Sequence, residues 1–481
     1  MKYLFLILIL MVSVLHAQHI QVFFNARCDT NGFAGNYASG LADFISIVGA
    51  KIDSAKYSID LCMYDLTVTE ITDKLIAAKN RGVKVRVITE DTNRSKNQEF
   101  QRLEKAGITV IDDSFGHNNA ADLMHNKFMV VDFRDSTSTT DDYLLTGSVN
   151  YTYQNTQQDA NNLIVIQDKT TSSIYTQQFE QMWGSNTETP NPDSSRFHTR
   201  KRNLPPHELT IDGIQTYIYF SPIDSSETKV TSWIKQSTKE IDFCIYAFSS
   251  DSVCVNMKRK FHGIQGFLCQ GVFDSSYWNT SWSKSKNMRG DKDSNDPWDP
   301  PAPVYADSVR LPGQTGGLLH HKYMIIDPFE ANAVIITGST NWSMAGFYGN
   351  DENMIIFKDK NLSQQYYQDF RERYKEGNGT GFREKTTSRI AKLPYGTIRI
   401  KPQPVRDYLV LTAVLQRRDS FRIEVRDMQG RLISSLGNAV FEKGRSERRF
   451  NLPAAMKTGS YVISIHGDDI KDVRLLMVVR R

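Results

Sequence analysis

A motif that occurs twice constrains this 481-residue chain more than any other feature. His125-Asn126-Lys127, four residues and Asp132 are repeated 195 positions later as His320-His321-Lys322, four residues and Asp327. Each copy is followed by Gly-Ser-x-Asn: Gly147, Ser148 and Asn150, then Gly338, Ser339 and Asn341. The surroundings repeat as well. Phe23-Phe24-Asn25 is echoed by Tyr219-Phe220-Ser221, and Ile59-Asp60-Leu61-Cys62-Met63-Tyr64 by Ile241-Asp242-Phe243-Cys244-Ile245-Tyr246. These echoes have the alternation and β-branched or aromatic content of strands, and polar helical stretches lie between them. Glu70 to Asn80 reads as a surface helix, stopped by Arg81-Gly82 before a strand from Val83 to Thr89. The expectation is an α/β fold of two pseudo-symmetric α/β/α repeats, 18–184 and 213–378, joined by a polar linker, 185–212, and followed by a small C-terminal β-sandwich, 395–481. Each repeat closes on an aromatic pair spaced i, i+4, Phe179 with Trp183 and Phe370 with Tyr374, which reads as core packing.

Residues i and i+2 of an extended chain share a face, so His125 projects with Lys127 and His320 with Lys322. Asp132 and Asp327 stand an odd number of residues from those lysines. An unbroken strand would turn them to the opposite face, as structural anchors. Phosphodiester chemistry needs a nucleophile, an acid for the leaving oxygen, and positive charge or donors around the non-bridging oxygens. Two imidazoles, two ammonium groups and two Asn amides supply that set, so no metal and no cofactor is expected. One imidazole must be neutral and the other protonated, which predicts a bell-shaped pH profile.

Both repeats resemble the phospholipase D superfamily, whose members carry this His-x-Lys-x4-Asp and Gly-Ser-x-Asn pair; the similarity runs from about Ile20 to Gly377. The resemblance implies a pseudo-twofold fold and a metal-independent ping-pong reaction through a phosphohistidine. It implies catalytic roles for His125, Lys127, His320 and Lys322, and phosphate binding by Asn150, Asn341, Ser148 and Ser339. It further implies supporting roles for Asp132, Asp327 and Glu352, with His125 as nucleophile and His320 as general acid. The residues alone do not order those two roles. Glu352 stands thirteen residues after Ser339, where the family often places a carboxylate that orients an imidazole; the first repeat has Asn161 there, with Asp159 close by as a substitute. An amide accepts a hydrogen bond but offers no charge to an imidazolium.

Lys2, the apolar run Leu4 to Leu15 and the small residue Ala17 predict a signal peptide over 1–17, so a secreted or cell-surface protein is expected. Cys28, Cys62, Cys244, Cys254 and Cys269 show no framework spacing, and Cys62 and Cys244 read as buried thiols. A polar insertion, Ser275 to Pro303, carries Trp278, Trp282 and Trp298 and reads equally as a lid or as disordered chain. From Ala391 onward 18 Lys and Arg face 9 Asp and Glu, leaving 40 against 45 before it. The repeats are slightly acidic, without the basic excess that phosphate-backbone binders carry.

In the tail, short strands such as Phe421 to Arg426 and Tyr461 to His466 alternate with turns. Pro402-Gln403-Pro404-Val405, Asp427-Met428-Gln429-Gly430-Arg431 and Thr458-Gly459-Ser460-Tyr461 resemble the sorting domain of the type IX secretion system. That implies the secretion machinery as a partner and a Bacteroidetes-type outer-membrane route, with a carbohydrate-binding or adhesive β-domain as the other reading. For the repeats, hydrolysis of phospholipid head groups at a membrane surface is the leading expectation. A secreted endonuclease acting on nucleic acid and a non-catalytic surface binding protein are the alternatives.

Overall fold

The hydrophobic runs separated by polar helices form one large sheet per repeat in the computed structural model, which describes residues 19–378 and 397–478 apart from positions 34, 120, 136–137, 308–315, 402–406, 416–417, 428–430, 443 and 467–470. The expected signal peptide and the Pro402-to-Val405 segment lie outside the described residues.

The first sheet contains β1 (Ile20–Phe24), β2 (Ser58–Met63), β3 (Lys84–Thr89), β4 (Thr109–Asp112), β5 (Lys127–Val131), β6 (Tyr143–Gly147) and β7 (Asn162–Gln167). Its order is β1-β7-β6-β5-β2-β3-β4. The second contains β8 (Glu208–Ile211), β9 (Ile214–Ser221), β10 (Glu240–Ile245), β11 (Leu268–Asp274), β12 (Val304–Asp307), β13 (Lys322–Ile326), β14 (Val334–Gly338) and β15 (Glu352–Lys358). Its order, β12-β11-β10-β13-β14-β15-β9-β8, is the first read from the other edge with β8 added. Only β2-β3-β4 and β10-β11-β12 are parallel, because helices such as Thr69–Asn80 and Asp251–Gly263 carry the chain back between successive strands.

Alternation along the strands decides the layers. Ile59, Leu61 and Met63 of β2 pack under Val48, Ile52, Ile71 and Leu75 of the outer helices. Ile241, Phe243 and Ile245 of β10 do the same beneath Val230, Ile234, Val253 and Met257. The inner faces of both sheets share one core with helices Lys169–Trp183 and Lys360–Gly377. Tyr175 sits 5.0 Å from Phe128 and 5.1 Å from Phe220, so one helix touches both sheets. Tyr366 mirrors it, 5.0 Å from Phe24 and 5.1 Å from Tyr323. The aromatic pairs at the ends of these helices belong to this core.

Two expectations change. The segment 185–212 is structured chain: Ser195, Phe197, His198 and Lys201 are buried, and β8 starts inside it. The insertion 275–303 is packed against the second repeat, neither a free lid nor disordered. Trp298 is buried against Phe261, Trp278 lies 5.9 Å from Phe273 with the Arg289 guanidinium over its ring, and only Trp282 stays largely exposed, at 41%. All five cysteines are free thiols.

The chain divides into two compact units, Met1–Arg383 and Glu384–Arg481. The second holds a three-stranded sheet, β16 (Thr397–Lys401), β17 (Tyr408–Leu415) and β20 (Gly444–Asn451), and a four-stranded one, β18 (Asp419–Arg426), β19 (Leu432–Phe441), β21 (Gly459–His466) and β22 (Lys471–Val478). Leu409, Leu411, Ile423, Val425, Ile463, Ile465 and Leu476 form a shared core, which makes it a β-sandwich. Among the described residues no helix is long and apolar enough to cross a membrane.

Candidate active site

The two repeats exchange residues at the His-x-Lys motifs. His125, just ahead of β5, directs Nδ1 at the Glu352 carboxylate at the start of β15, with contacts of 2.8 and 2.9 Å. His320, just ahead of β13, directs Nδ1 at Asn161 Oδ1, 2.9 Å away, beside the start of β7. Each imidazole is thus held by the opposite repeat. Two short backbone bridges, Met124 with Asp351 and Ala160 with Leu319, set the register of this exchange. Asn161 Nδ2 donates to Asn155 O, which fixes its oxygen toward the ring. Nδ1 therefore carries the proton in both histidines, and each Nε2 holds the lone pair when the ring is neutral. Asp159 does not substitute for a carboxylate on His320. Its oxygens accept from Leu318 N at 2.8 Å and Asn155 Nδ2 at 2.6 Å.

The lysines and two aromatic walls repeat the symmetry. Lys127 Nζ donates to His125 O and Lys322 Nζ to His320 O, both at 2.7 Å. Tyr64 lies 4.8 Å from the His125 ring and Tyr246 4.9 Å from His320, each with its lysine ammonium 5.0 Å from the ring centroid. These tyrosines end the echoed strand segments, so their signal lay in the repeat, yet sequence reasoning gave them no role.

Ser148 and Ser339, expected among the phosphate ligands, have their hydroxyls engaged elsewhere. Ser148 Oγ donates to Asn161 Oδ1 at 2.8 Å and Ser339 Oγ to Glu352 Oε2 at 2.6 Å, while each accepts the N–H of Asn162 or Asn353. They orient the orienting residues. Gly147 and Gly338 precede them at φ 149° and 138°, and a Cβ there would meet Asn162 O at 2.4 Å or Asn353 O at 2.3 Å. That close approach explains the glycine of the motif. Asn150 and Asn341, two residues beyond those serines, each have a buried side-chain oxygen without a hydrogen-bond partner among the described residues.

Asp132 and Asp327 lie at the far ends of β5 and β13. The Asp132 carboxylate accepts the backbone N–H groups of Lys56, Tyr57 and Ser58, and Asp327 those of Thr238, Lys239 and Glu240. Both adopt positive φ, 64° and 50°, which Asp tolerates. Each ties the start of β2 or β10 to its neighbour, away from the imidazoles.

Burial pulls the His125 imidazole down to about 4 against the opposing pull of Glu352, and brings the Lys127 ammonium down to about 7. Burial and then the charges of Lys322, Lys127 and His125 hold His320 well below its ordinary range. Burial and Lys127 do the same to Lys322. Charges of one repeat thus act on groups of the other, Lys127 and His125 on His320 and Lys127 on Lys322. Burial is the largest cause for all four groups; the Glu352 carboxylate opposes it at His125, Lys127 and Lys322, and an anion entering among these groups would oppose it further. Among the described residues no set of three or more His, Cys, Asp or Glu side chains could hold a metal ion.

A duplicated α/β/α architecture with one His-Lys pair per repeat defines a class, and comparison with known proteins gives its family. The family described as cardiolipin synthase, PLD-like domain, matches twice, over residues 48–183 and 230–374, and the chain belongs to it. Mitochondrial cardiolipin hydrolase of Xenopus tropicalis is 31% identical over 150 residues, 31% of this chain and 63% of that protein. Phospholipase D of Rickettsia felis is 30% identical over 140 residues, 29% of this chain and 64% of that protein. The chain therefore spans just under two thirds of the length of these relatives. Among solved structures, phosphatidylserine synthase of Haemophilus influenzae aligns with 74% of this chain and 87% of its own at a TM-score of 0.48 and 10% identity.

Proposed function

We propose that this protein is a phosphodiesterase of the phospholipase D type, acting on phospholipid head groups through a phosphohistidine. The observation that carries it is the reciprocal exchange, in which each imidazole is gripped at Nδ1 by the other repeat and keeps Nε2 for chemistry. His125 Nε2 attacks phosphorus, and the bond to the leaving alkoxide breaks as His320 Nε2–H gives that oxygen its proton. Water then attacks the phosphohistidine, His320 takes the proton, and the P–N bond breaks. The two partners support this order. A phosphorylated imidazole carries positive charge, which the Glu352 carboxylate stabilises, whereas an acid backed only by the Asn161 amide parts with its proton more easily. Lys127, Lys322, Asn150 and Asn341 surround the non-bridging oxygens.

The lipid reading draws on the surroundings of the site and on the names of the relatives, a cardiolipin hydrolase and a phospholipase D. Leu123 precedes His125 by two residues, Tyr153 follows Asn150 by three, and Met344 and Tyr348 follow Asn341 by three and seven; they are 36%, 37%, 66% and 47% exposed. Trp282 is reached from His320 through Tyr246 and Tyr277, ring to ring. Exposed apolar and aromatic side chains this near the site residues in sequence suit a lipid interface. The tyrosine hydroxyls are held by Glu70 and Glu227, acidic groups that disfavour a polyanion. Export by the N-terminal segment and the tail belongs to the same reading; mass spectrometry of culture medium, finding a chain that starts near Gln18 and lacks the tail, would support it.

Purified protein is incubated in excess chelator with phosphatidylcholine vesicles, cardiolipin vesicles and plasmid DNA. Head-group or phosphatidic acid release with intact plasmid is expected. Nicked plasmid with untouched lipid would move the assignment to a nuclease, and inertness toward all three without a trappable phosphoenzyme would leave a binding protein.

A further inference from the structure

The geometry points to a second job for the segment between the repeats: we propose that Lys201 and His198 are positioning residues that hold the His125–Glu352 pair in register by gripping Asp351. This rests on the reading of His125 and Glu352 as a reacting pair. Asp351 immediately precedes Glu352 and is fully buried. Its Oδ1 receives Lys201 Nζ at 2.8 Å and His198 N at 2.9 Å, and His198 Nδ1 lies 3.1 Å from Oδ2. Lys201 Nζ also donates to Ser221 O at the end of β9, so the grip is anchored to the second sheet. His198 holds φ 53°, in the left-handed region that His tolerates better than most side chains, and its Nε2 faces Asp113 at 3.8 Å.

The backbone of Asp351 reaches His125 directly. Asp351 O accepts His125 N and Asp351 N donates to Leu123 O, both at 2.9 Å. Asp113, the other acid beside His198, accepts Met124 N at 2.7 Å. The segment therefore controls His125 by two routes: through the backbone of 123–125 bridged to Asp351, and through Glu352 on Nδ1. The His320 half is built differently. Its bridging residue is Ala160, with no side chain to grip, and Asp159 braces Leu318 from within the first repeat. Only the histidine backed by a carboxylate depends on the connecting segment. The plain alternative is a buried ion pair that serves folding alone.

The test uses the full-length chain with 15N-labelled histidine, the His125 ring signal being identified by its loss in His125→Ala. It compares Lys201→Met with the double variant Lys201→Met, Asp351→Asn, which removes the unpaired buried charge that the single change creates. The expected result is a displaced His125 ring signal in both variants. On bis(4-nitrophenyl) phosphate, kcat should fall by about tenfold to a hundredfold with little change in KM, and the acidic limb of its pH profile should shift. Thermal stability should return in the double variant while kcat and the ring signal do not. Recovery of kcat together with stability, or an unmoved His125 signal in either folded variant, would overturn the proposal. If Lys201→Met alone fails to fold, the double variant carries the same reading. The ring signal is read without turnover, so a chain inert toward phosphodiesters would refute the function and still leave the positioning role measurable.

Discussion

At the residue scale the two imidazoles differ in the group that holds Nδ1, a carboxylate on His125 and an amide on His320, and that difference predicts different failures. Glu352→Gln keeps an acceptor for His125 Nδ1 and for Ser339 but removes the charge that stabilises the phosphorylated ring. Turnover should fall by roughly 10² to 10⁴ without loss of fold, by analogy with neutralising the carboxylate of a catalytic triad; stopped-flow or quench measurements of phosphoenzyme formation check it. Asn161→Asp should act in the other sense. A carboxylate on His320 raises its pKa and makes it a poorer acid, so the alkaline limb of kcat against pH moves upward. The depressed pKa values supply a third test. In the free protein burial keeps His125, His320, Lys127 and Lys322 from holding protons at their ordinary strength. An anion entering between them reverses that, so inorganic phosphate should bind with net proton uptake near pH 7. Calorimetry in buffers of differing ionisation enthalpy measures it, and zero uptake would contradict the assignment. Stability has a fixed sign as well. A native histidine near 4 and a native lysine near 7 bind fewer protons than the unfolded chain between about 4 and 6.5 and between about 7 and 10.4. In both windows the native state gains stability as pH rises, and loses it as pH falls, in the absence of ligand.

At the element scale the strands position the chemistry by what holds their two ends. β5 and β13 begin at the lysines and end at the aspartate clamps. Asp132→Ala or Asp327→Ala strips an acceptor from three neighbouring backbone N–H groups, and should cost about 2–4 kcal/mol in urea unfolding. The pH profile of the folded fraction should stay as it was, since neither carboxylate meets an imidazole. Much of this was legible in the sequence, because period-2 geometry separates His and Lys from Asp, and the duplicated strands define the sheets. What stayed hidden is non-local. Nothing in the spacing of Glu352 from Ser339 says that it serves His125 of the other repeat, and the serine hydroxyls could equally have faced a phosphate. Polar composition suggested a linker over 185–212, yet burial of Phe197, His198 and Lys201 depends on surfaces that only the assembled repeats create. The insertion failed as a lid for a related reason: two of its three tryptophans face the second-repeat core, a preference that tryptophan content alone does not reveal.

At the scale of the whole molecule, function divides along the boundary between the two compact units. Every residue assigned to the site, and each of the three hydrophobic cores beneath it, belongs to the unit ending at Arg383. The repeats cannot be divided in the same way. Their inner sheets share one core, and each imidazole needs a partner from the other, so a chain cut to one repeat should lose both fold and activity. Removing 384–481 should leave kcat and KM on phosphatidylcholine vesicles unchanged. Charge makes this more than a test of tolerance. The tail carries the excess of 18 basic over 9 acidic residues, and the remainder is slightly acidic. The full-length protein should therefore be retained on immobilised heparin or DNA at low ionic strength, with retention falling steeply as salt rises. The truncated protein should flow through while hydrolysing lipid at the full rate. Retention that survived truncation would place a polyanion-binding surface on the repeats themselves and would favour a nucleic acid substrate. Loss of lipid hydrolysis with the tail would show that the sandwich takes part in presenting the membrane to the site.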